Sequence, residues 1–369
     1  MKAVILVGGQ GTRLRPLTLG TPKPMVPLAN MPFVSYVLEH LKKNGIEEIV
    51  FSMGYLPDGI KSYFGDGSAF GVKVTYVVED RPLGTAGAVR NVAEHISDHD
   101  FMVLNGDILT DLDLRALIDF HQKKEAMGTI ALTPVQDPTA YGLVRTGPAG
   151  EVLGFLEKPS WDQIDTNLIN AGIYVLKNEV LDMIPAGIEY SFERGVFPRL
   201  VGKGLFGFGS ECYWMDIGTP EKYLQAHYDI LEKNVTTSVS ACLDKDFVCV
   251  QGKIELHNGA KLVPPVMIGE GTRIEAGARI GRMAVIGPGC VISAGSVVEE
   301  SVIQEGSTLE ENVVVRRSII ARGAQIGRDT VVTAGAIVGE EAKVGGENIL
   351  ANNIRVYPRT VIQKGTIKF

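Results

Sequence analysis

A six-residue register runs through the last third of this 369-residue chain. Ile268, Ile274, Ile280, Ile286, Ile292 and Val298 recur at every sixth position. After a one-residue slip the period resumes at Ile303, Leu309 and Val315. After a second slip it continues through Ile320, Ile326, Val332, Val338 and Val344. Gly and other small residues keep a fixed relation to these aliphatics, as in IGEGTR–IEAGAR–IGRMAV–IGPGCV–ISAGSV. A chance Gly/Val-rich stretch does not hold register for so long. This is the hexapeptide repeat of a parallel β-helix. Each aliphatic points into a narrow prism, and the small residues turn its corners. With three hexapeptides to a coil, residues 268–344 predict about four coils. The repeat contributes to a Gly content, 43 in the whole chain, that exceeds average usage.

The first 235 residues read differently. Strand-like runs at Ala3–Val7, Glu48–Met53, Lys73–Val78, Phe101–Asn105 and Gly128–Pro134 alternate with helical spacings. The helices fall at Pro32–Asn44, Thr85–His95 and Leu112–Lys124. This βαβα order predicts an α/β domain with a Rossmann-like, mostly parallel sheet. Such sheets bind ligands beyond the carboxyl ends of their strands. A helix over about 220–234, with Thr219 as N-cap and Pro220 in its first turn, links the parts. The expected domains are therefore residues 1–235 and a left-handed β-helix over 245–369.

The remaining composition narrows the class. With 36 Lys+Arg against 43 Asp+Glu the net charge is −7, which argues against a general nucleic-acid binder. Hydrophobic residues at 45% and charged residues at 21% argue against disorder. Cys212, Cys242, Cys249 and Cys290 form no CxxC pair, and no His lies at finger spacing. Neither a zinc site nor a disulfide framework is expected. Ala3–Val7 is too short for a signal-peptide core, and no apolar run approaches the roughly 18 residues of a membrane span. A cytoplasmic protein with no membrane partner is the expectation.

Chemistry is concentrated in Leu6-Val7-Gly8-Gly9-Gln10-Gly11-Thr12-Arg13-Leu14-Arg15-Pro16-Leu17-Thr18, followed by Pro22-Lys23-Pro24. A glycine-rich loop after a strand lets backbone N–H groups approach phosphate oxygens. Arg13 and Lys23 are suited to holding negative charge. Glycines alone also serve tight turns, and no GK[ST] follows, so this is not a Walker A loop.

Taken together, GGxGTRLxPLT…PKP resembles the sugar-1-phosphate nucleotidyltransferases, or NDP-sugar pyrophosphorylases. The resemblance continues at Leu83-Gly84-Thr85-Ala86-Gly87, Leu104-Asn105-Gly106-Asp107, Phe155-Leu156-Glu157-Lys158-Pro159, Asn170-Ala171-Gly172-Ile173-Tyr174 and Trp214-Met215-Asp216-Ile217-Gly218-Thr219-Pro220. It covers essentially the whole chain. A β-helix appended to the catalytic domain also occurs in this family. Within the family the chain is most like the mannose-1-phosphate guanylyltransferases, with Tyr141-Gly142-Leu143-Val144 and Val196-Phe197-Pro198 as further points of likeness.

The resemblance implies a reaction of a nucleoside triphosphate with a sugar-1-phosphate. The sugar phosphate attacks the α-phosphorus in line, and pyrophosphate leaves. Positioning and charge neutralisation dominate such chemistry. It needs no covalent nucleophile, and the sequence offers no obvious Ser/His/Asp set. Mg²⁺ favours oxygen ligands, commonly one or two carboxylates plus substrate phosphates. Asp107 and Asp216 are the implied ligands. On spacing alone each is equally a turn or cap Asp, and Asp111 is a weaker candidate whose alternative is a helix N-terminal acid.

By the same likeness, Leu6, Gly8, Gly9, Gly11, Thr12, Arg13, Glu79, Gly84 and Thr85 serve the nucleotide. Lys158 holds the sugar phosphate, with a solvated surface Lys as its alternative. Glu157 accepts from sugar hydroxyls, and Leu109, Gly142, Asn170 and Gly172 match sugar-pocket positions. Relatives that use thymidine or uridine triphosphate often have Gln where Glu79 stands. A carboxylate can accept both N1–H and N2–H of guanine but would face the carbonyl oxygens of uracil or thymine. Glu79 therefore favours GTP, against a plain surface acid at a strand end.

Four other readings compete. One is the same reaction with glucose-1-phosphate and dTTP or UTP. Another is a non-catalytic regulatory or scaffold subunit, which should have lost the phosphate and metal residues present here. A third is an acyltransferase β-helix, which typically needs a His base. The repeats have none, and His257 lies before them. The fourth is a glycosyltransferase, whose DxD motif Asn105-Gly106-Asp107 departs from. The β-helix is expected to join copies into a homo-oligomer.

Overall fold

The computed structural model describes residues 1–368 other than 97, 158 and 159; at 140 and 157 it describes the backbone alone. The chain divides into two compact units. One comprises Met1–Gly9 and Val34–Asp216; the other comprises Gln10–Phe33 and everything from Ile217 onward.

The first unit is built on a nine-stranded sheet. Its strands are β1 (Lys2–Val7), β2 (Glu48–Met53), β3 (Lys73–Val78) and β4 (Phe101–Asn105). A short strand, β5 (Ile108–Thr110), lies off this sheet. There follow β6 (Gly128–Pro134), β7 (Gly142–Thr146), β8 (Val152–Glu157), β9 (Leu168–Leu176) and β10 (Leu205–Gly209). The order is β8-β7-β9-β4-β1-β2-β3, with β6 between β9 and β10. β4, β1, β2 and β3 are parallel, whereas β9 runs antiparallel to β4, β6 and β7. The chain leaves β1 toward β2 and β3, then returns to pair β4 on β1's other side. The carboxyl ends of β1 and β4 thus lie at a topological switch point, where this architecture opens a crevice.

Helices follow from apolar stripes. In α1 (Phe33–Lys43), Phe33, Val34, Val37, Leu38 and Leu41 form a buried face. Burying one such side chain contributes about 1.5–3 kcal/mol. α2 (Pro57–Phe64) likewise buries Ile60 and Phe64. α3 (Gly84–Asn91) ends four residues before His95, and a 3₁₀ turn completes the stretch. α4 (Leu114–Lys123) starts later than the apolar spacing predicts because Asp113 caps it, accepting from Ala116 N–H at 3.0 Å.

The second unit is a left-handed parallel β-helix of three sheets holding seven, seven and six strands. Its first strand is Val248–Val250 and its last Val361–Ile362. Every aliphatic residue of the sequence register from Ile268 to Val344 lies in one buried core. Strands pair 18 residues apart, as Val248 with Val266, and 17 apart at the slips, as Val302 with Ile319. Buried hydroxyls bond the next coil: Thr272 donates to Gly287 O at 2.8 Å and Ser296 to Glu310 O at 2.7 Å. Residues 268–344 supply the expected four or so coils, and further strands extend the helix on both sides: Val248–Val250, Glu255–Leu256 and Lys261–Leu262 before, Ile349–Leu350, Arg355–Val356 and Val361–Ile362 after.

α5 (Pro220–Leu231) belongs to this unit, and Thr219 caps it by accepting from Lys222 N–H at 3.4 Å. Cys242 and Cys249 form a disulfide across a seven-residue separation, Cα atoms 5.5 Å apart. This corrects the expectation of no disulfide. Reading Cys spacing for CxxC pairs overlooks a tight turn, here fixed by Asp244, whose side chain accepts from Asp246 and Val248 N–H.

Candidate active site

Asp107 and Asp216 lie 109 positions apart in sequence, yet the fold makes them neighbours. Asn105 ends β4, and Gly106 N–H bonds Leu6 O at 2.9 Å. A Cβ on Gly106 would meet Val7 Cγ1 at 2.5 Å, so only Gly lets the chain turn beside the end of β1. β5 then pairs antiparallel with β11 (Trp214–Asp216). Asp216 stands opposite Ile108, one residue from Asp107. Residues opposed across such a ladder have Cα atoms about 4.5–5.5 Å apart. Tyr141 donates to Asp216 Oδ1 at 3.3 Å, and its ring meets Trp214 edge-on. Asp111 is elsewhere engaged: its Oδ1 accepts from Tyr213 N–H at 2.8 Å and pins the same pair of strands.

Sugar-pocket candidates lie beside this strand pair: Trp214 Nε1 donates at 2.9 Å to the carbonyl of Ala171, between Asn170 and Gly172. Gly142 opens β7 opposite Glu157, the last residue of β8. Asn170 Oδ1 accepts from Gly172 N–H at 2.8 Å, and its amide donates to the Tyr174 hydroxyl at 2.9 Å. Gly172, at φ +73°, faces the Asn105 amide. The Leu109 side chain is buried, so its backbone is what it can offer a ligand. Lys158 lies outside the described residues.

On the nucleotide side, Leu6 ends β1 with Val7, and Gly8 and Gly9 follow it. A Cβ on Gly8 would lie 3.3 Å from Glu79 Oε1, whereas Gly9 has open space. Glu79 is half-buried. Its Oε1 accepts from Ser52 Oγ at 3.0 Å and its Oε2 from Leu83 N–H at 3.1 Å. Burial raises the Glu79 pKa, and the two hydrogen bonds pull against that rise. Gly84 is at φ +68°, and the segment at Tyr190 packs against it. Ala86 and Gly87 N–H groups both bond Tyr190 O. The Thr85 hydroxyl donates to Glu193 at 3.1 Å and accepts from Phe192 N–H at 3.0 Å.

The rest of the signature folds within the second unit. Gly11, at φ +61°, begins the 3₁₀ turn Thr12–Leu14. A Cβ there would fall 2.9 Å from Lys23 Cβ and 3.1 Å from Thr18 Cγ2. Thr18 donates to Gly11 O at 2.8 Å. Gly11 therefore closes a loop that brings Lys23 beside the turn carrying Thr12 and Arg13, and Arg13 is exposed.

Comparison with known proteins bears on the whole chain. A family profile described as "Nucleotidyl transferase" matches residues 2–233, and one described as "GMPPB C-terminal domain" matches 262–368. The chain belongs to the nucleotidyl transferase family. It is similar to a mannose-1-phosphate guanylyltransferase of Mycobacterium tuberculosis, 41% identical over 74% of this chain and 76% of the relative. It is also similar to a UTP–glucose-1-phosphate uridylyltransferase of Synechocystis, 34% identical over 73% and 78%. Among solved structures, HddC from Yersinia pseudotuberculosis complexed with GMP-PN matches at 32% identity with TM-score 0.53. That match covers 61% of this chain and 97% of HddC.

This nucleotidyltransferase is a sugar-1-phosphate-type enzyme, whose relatives use a divalent metal. Asp107 and Asp216 fit a hard cation, since both present oxygen and share one strand pair. Among the described residues no group of three or more His, Cys, Asp or Glu gathers that could hold a metal ion. No helix is long and apolar enough to cross a membrane, among the residues described. His257 Nδ1 accepts from Gly259 N–H in a turn, which gives it a local structural task.

Sequence reasoning missed Glu193. It accepts from Thr85, from Ser191 at 2.6 Å and from Tyr174 at 3.1 Å, and so links a nucleotide candidate to Asn170 through Tyr174. Burial and the nearby Glu193 carboxylate hold the Tyr174 hydroxyl protonated well above the usual phenol range. No spacing marks an acid between Phe192 and Arg194. Ser52 was equally hidden, as the fifth residue of an apolar strand.

Proposed function

We propose that the chain makes GDP-mannose and pyrophosphate from GTP and mannose-1-phosphate. The observation that carries this reading is the β5–β11 pairing, which sets Asp107 beside Asp216 at the switch point. These two carboxylates would hold Mg²⁺ together with substrate phosphates, and the ion would supply charge neutralisation at the reacting phosphorus. Arg13 and Lys23 bind the triphosphate, with backbone N–H groups of Gly8, Gly9, Gly11 and Thr12 on its oxygens. Lys158 holds the sugar phosphate, while Glu157, Asn170 and the backbone of Gly142 and Gly172 orient the sugar. One sugar-phosphate oxygen bonds the α-phosphorus as the bridging bond to the β-phosphate breaks. Pyrophosphate carries off the electron pair, and no protein group need take a proton.

Glu79 supports the choice of guanine. Each of its oxygens keeps a lone pair beyond the bonds from Ser52 and Leu83, enough to accept two adjacent N–H groups. Guanylyltransferases among the relatives favour the same base and favour mannose. A second copy of the chain, joined through the β-helix, is the proposed partner, and the cytoplasm the proposed location.

The test is pyrophosphate release from GTP, UTP, dTTP and ATP, each with mannose-1-phosphate and glucose-1-phosphate, with Mg²⁺ and with EDTA. The highest rate belongs to GTP with mannose-1-phosphate. A preference for UTP or dTTP with glucose-1-phosphate keeps the reaction and overturns the specificity. No Mg²⁺-dependent turnover in any pairing overturns the reading.

A further inference from the structure

Residues 20–33 follow the signature turn, and they meet the β-helix at three levels, at two of them through hydrogen bonds. Near their start, a Cβ on Gly20 would stand 3.0 Å from Glu340 Oε2, a carboxylate paired with Arg322. Further on, a two-residue hairpin pairs Pro27–Leu28 with Met31–Pro32. At its tip, Ala29 and Asn30 are both left-handed, at φ 44° and 64°. Such a turn in a non-Gly residue persists only where its surroundings hold it. Asn30 donates from one amide to Ile286 O at 3.0 Å and to Gln251 at 3.1 Å. Ala29 N–H donates to His227 Nδ1 at 3.2 Å. Pro27 O accepts from the Tyr223 hydroxyl, and Tyr223 in turn accepts from the Gln304 amide at 3.2 Å. Gln304 Oε1 is taken by Arg322 N–H of the next coil at 3.2 Å. Tyr223, His227 and Gln304 are all buried.

The hairpin transmits this anchorage to Lys23. Val26 O accepts from Phe33 N–H at 3.2 Å, while Val26 N–H donates to Lys23 O at 3.2 Å. One residue therefore closes both the hairpin and the Lys23 turn. Hydrogen bonds run from a coil of the β-helix through Tyr223 of α5 to Pro27 O, and the backbone from Pro27 to Val26 carries the link on to the turn of Lys23.

We propose that the β-helix is a positioning device for the Lys23 loop, with Gln304, Tyr223, His227 and Asn30 as positioning residues. In this chain the loop is braced by the β-helix. The proposal rests on the reading that Lys23 serves the triphosphate.

Tyr223→Phe and Asn30→Gly test it; the latter keeps the left-handed backbone and removes the amide. Asn348→Ala is the comparison, because Asn348 is buried in a later coil and its side chain bonds Gly345, Gly346, Gln363 and the Thr366–Ile367 segment, none of them in residues 20–33. The loop variants should raise the GTP KM about three- to tenfold, the scale of one net hydrogen bond, with the sugar-phosphate KM unchanged. Amide hydrogen exchange should quicken at residues 26–33 in both. Asn348→Ala should lower Tm while sparing the GTP KM and the exchange of that segment. Loop variants that only lower Tm, with GTP KM and exchange unchanged, overturn the proposal. Should the wild-type chain fail to turn over GTP and mannose-1-phosphate, the functional reading fails. Exchange at residues 26–33 still decides whether the coils hold the loop.

Discussion

In the β-helix each coil repeats the bonds of its neighbour, whereas no two strand ends of the α/β unit do the same job. Ile286, Ile303 and Ile320 occupy equivalent places in one prism and are all fully buried. By contrast, Gly106 turns a corner, Asp107 carries charge, and Tyr141 touches Asp216. Redundancy spreads stability over many similar contacts. Division of labour concentrates chemistry in a few side chains. Damage in the two regions should therefore be read by different instruments.

Asp107→Asn should break the contrast at its chemical end. Turnover should fall by about a thousandfold, as when one preorganised charge-stabilising group is lost, with circular dichroism and Tm near wild type. Near-normal turnover would remove Asp107 from the metal site. Ile303→Ala is the counterpart in the repeat. It should cost about 2–5 kcal/mol in urea unfolding and leave KM values of the folded protein alone. A specific loss of kcat instead would blur the distinction between the regions.

His227 offers a smaller effect. Burial pushes its pKa down to about 3, and its Nδ1 accepts from Ala29 N–H, so the folded protein keeps it neutral. Unfolded, it titrates near 6.5. The unfolded state therefore binds more protons between these values, and stability falls as pH drops below 6.5. Between pH 6.5 and 5 the loss should reach about 2 kcal/mol, measured by urea unfolding, and His227→Gln should flatten that slope. An unchanged slope would assign the acid lability to other groups. Glu79→Gln should have the smallest effect. The preference for GTP over UTP should drop about tenfold. An unaltered preference would locate base selection elsewhere.

The same contrast explains what could be read from sequence. The β-helix announces itself because one physical rule, an aliphatic at every sixth position, operates through many coils. Its flanking coils, from Val248 onward and up to Ile362, lie outside the stretch that the register marks. Strands such as Glu48–Met53 and Phe101–Asn105 matched their apolar runs because burial on both faces leaves no other use for such runs. The site was legible where a motif is contiguous, as in Asn105-Gly106-Asp107. Convergence of Asp107 with Asp216 was not, since it depends on the later pairing of two short strands. Glu193 escaped because a buried acid acting through hydroxyls leaves no periodic trace. The 242–249 disulfide escaped because a turn, rather than a spacing rule, brings those sulfurs together.

Parallel coils stack at about 4.8 Å intervals, which gives the β-helix the character of a graduated scale. Asn30 reads one mark at Ile286, Tyr223 the next at Gln304, and Gly20 a later one at Glu340. Deleting or inserting a coil between Ile286 and Glu340 would shift these marks by whole graduations against a segment of fixed length. Coils added after Glu340 would shift none of them.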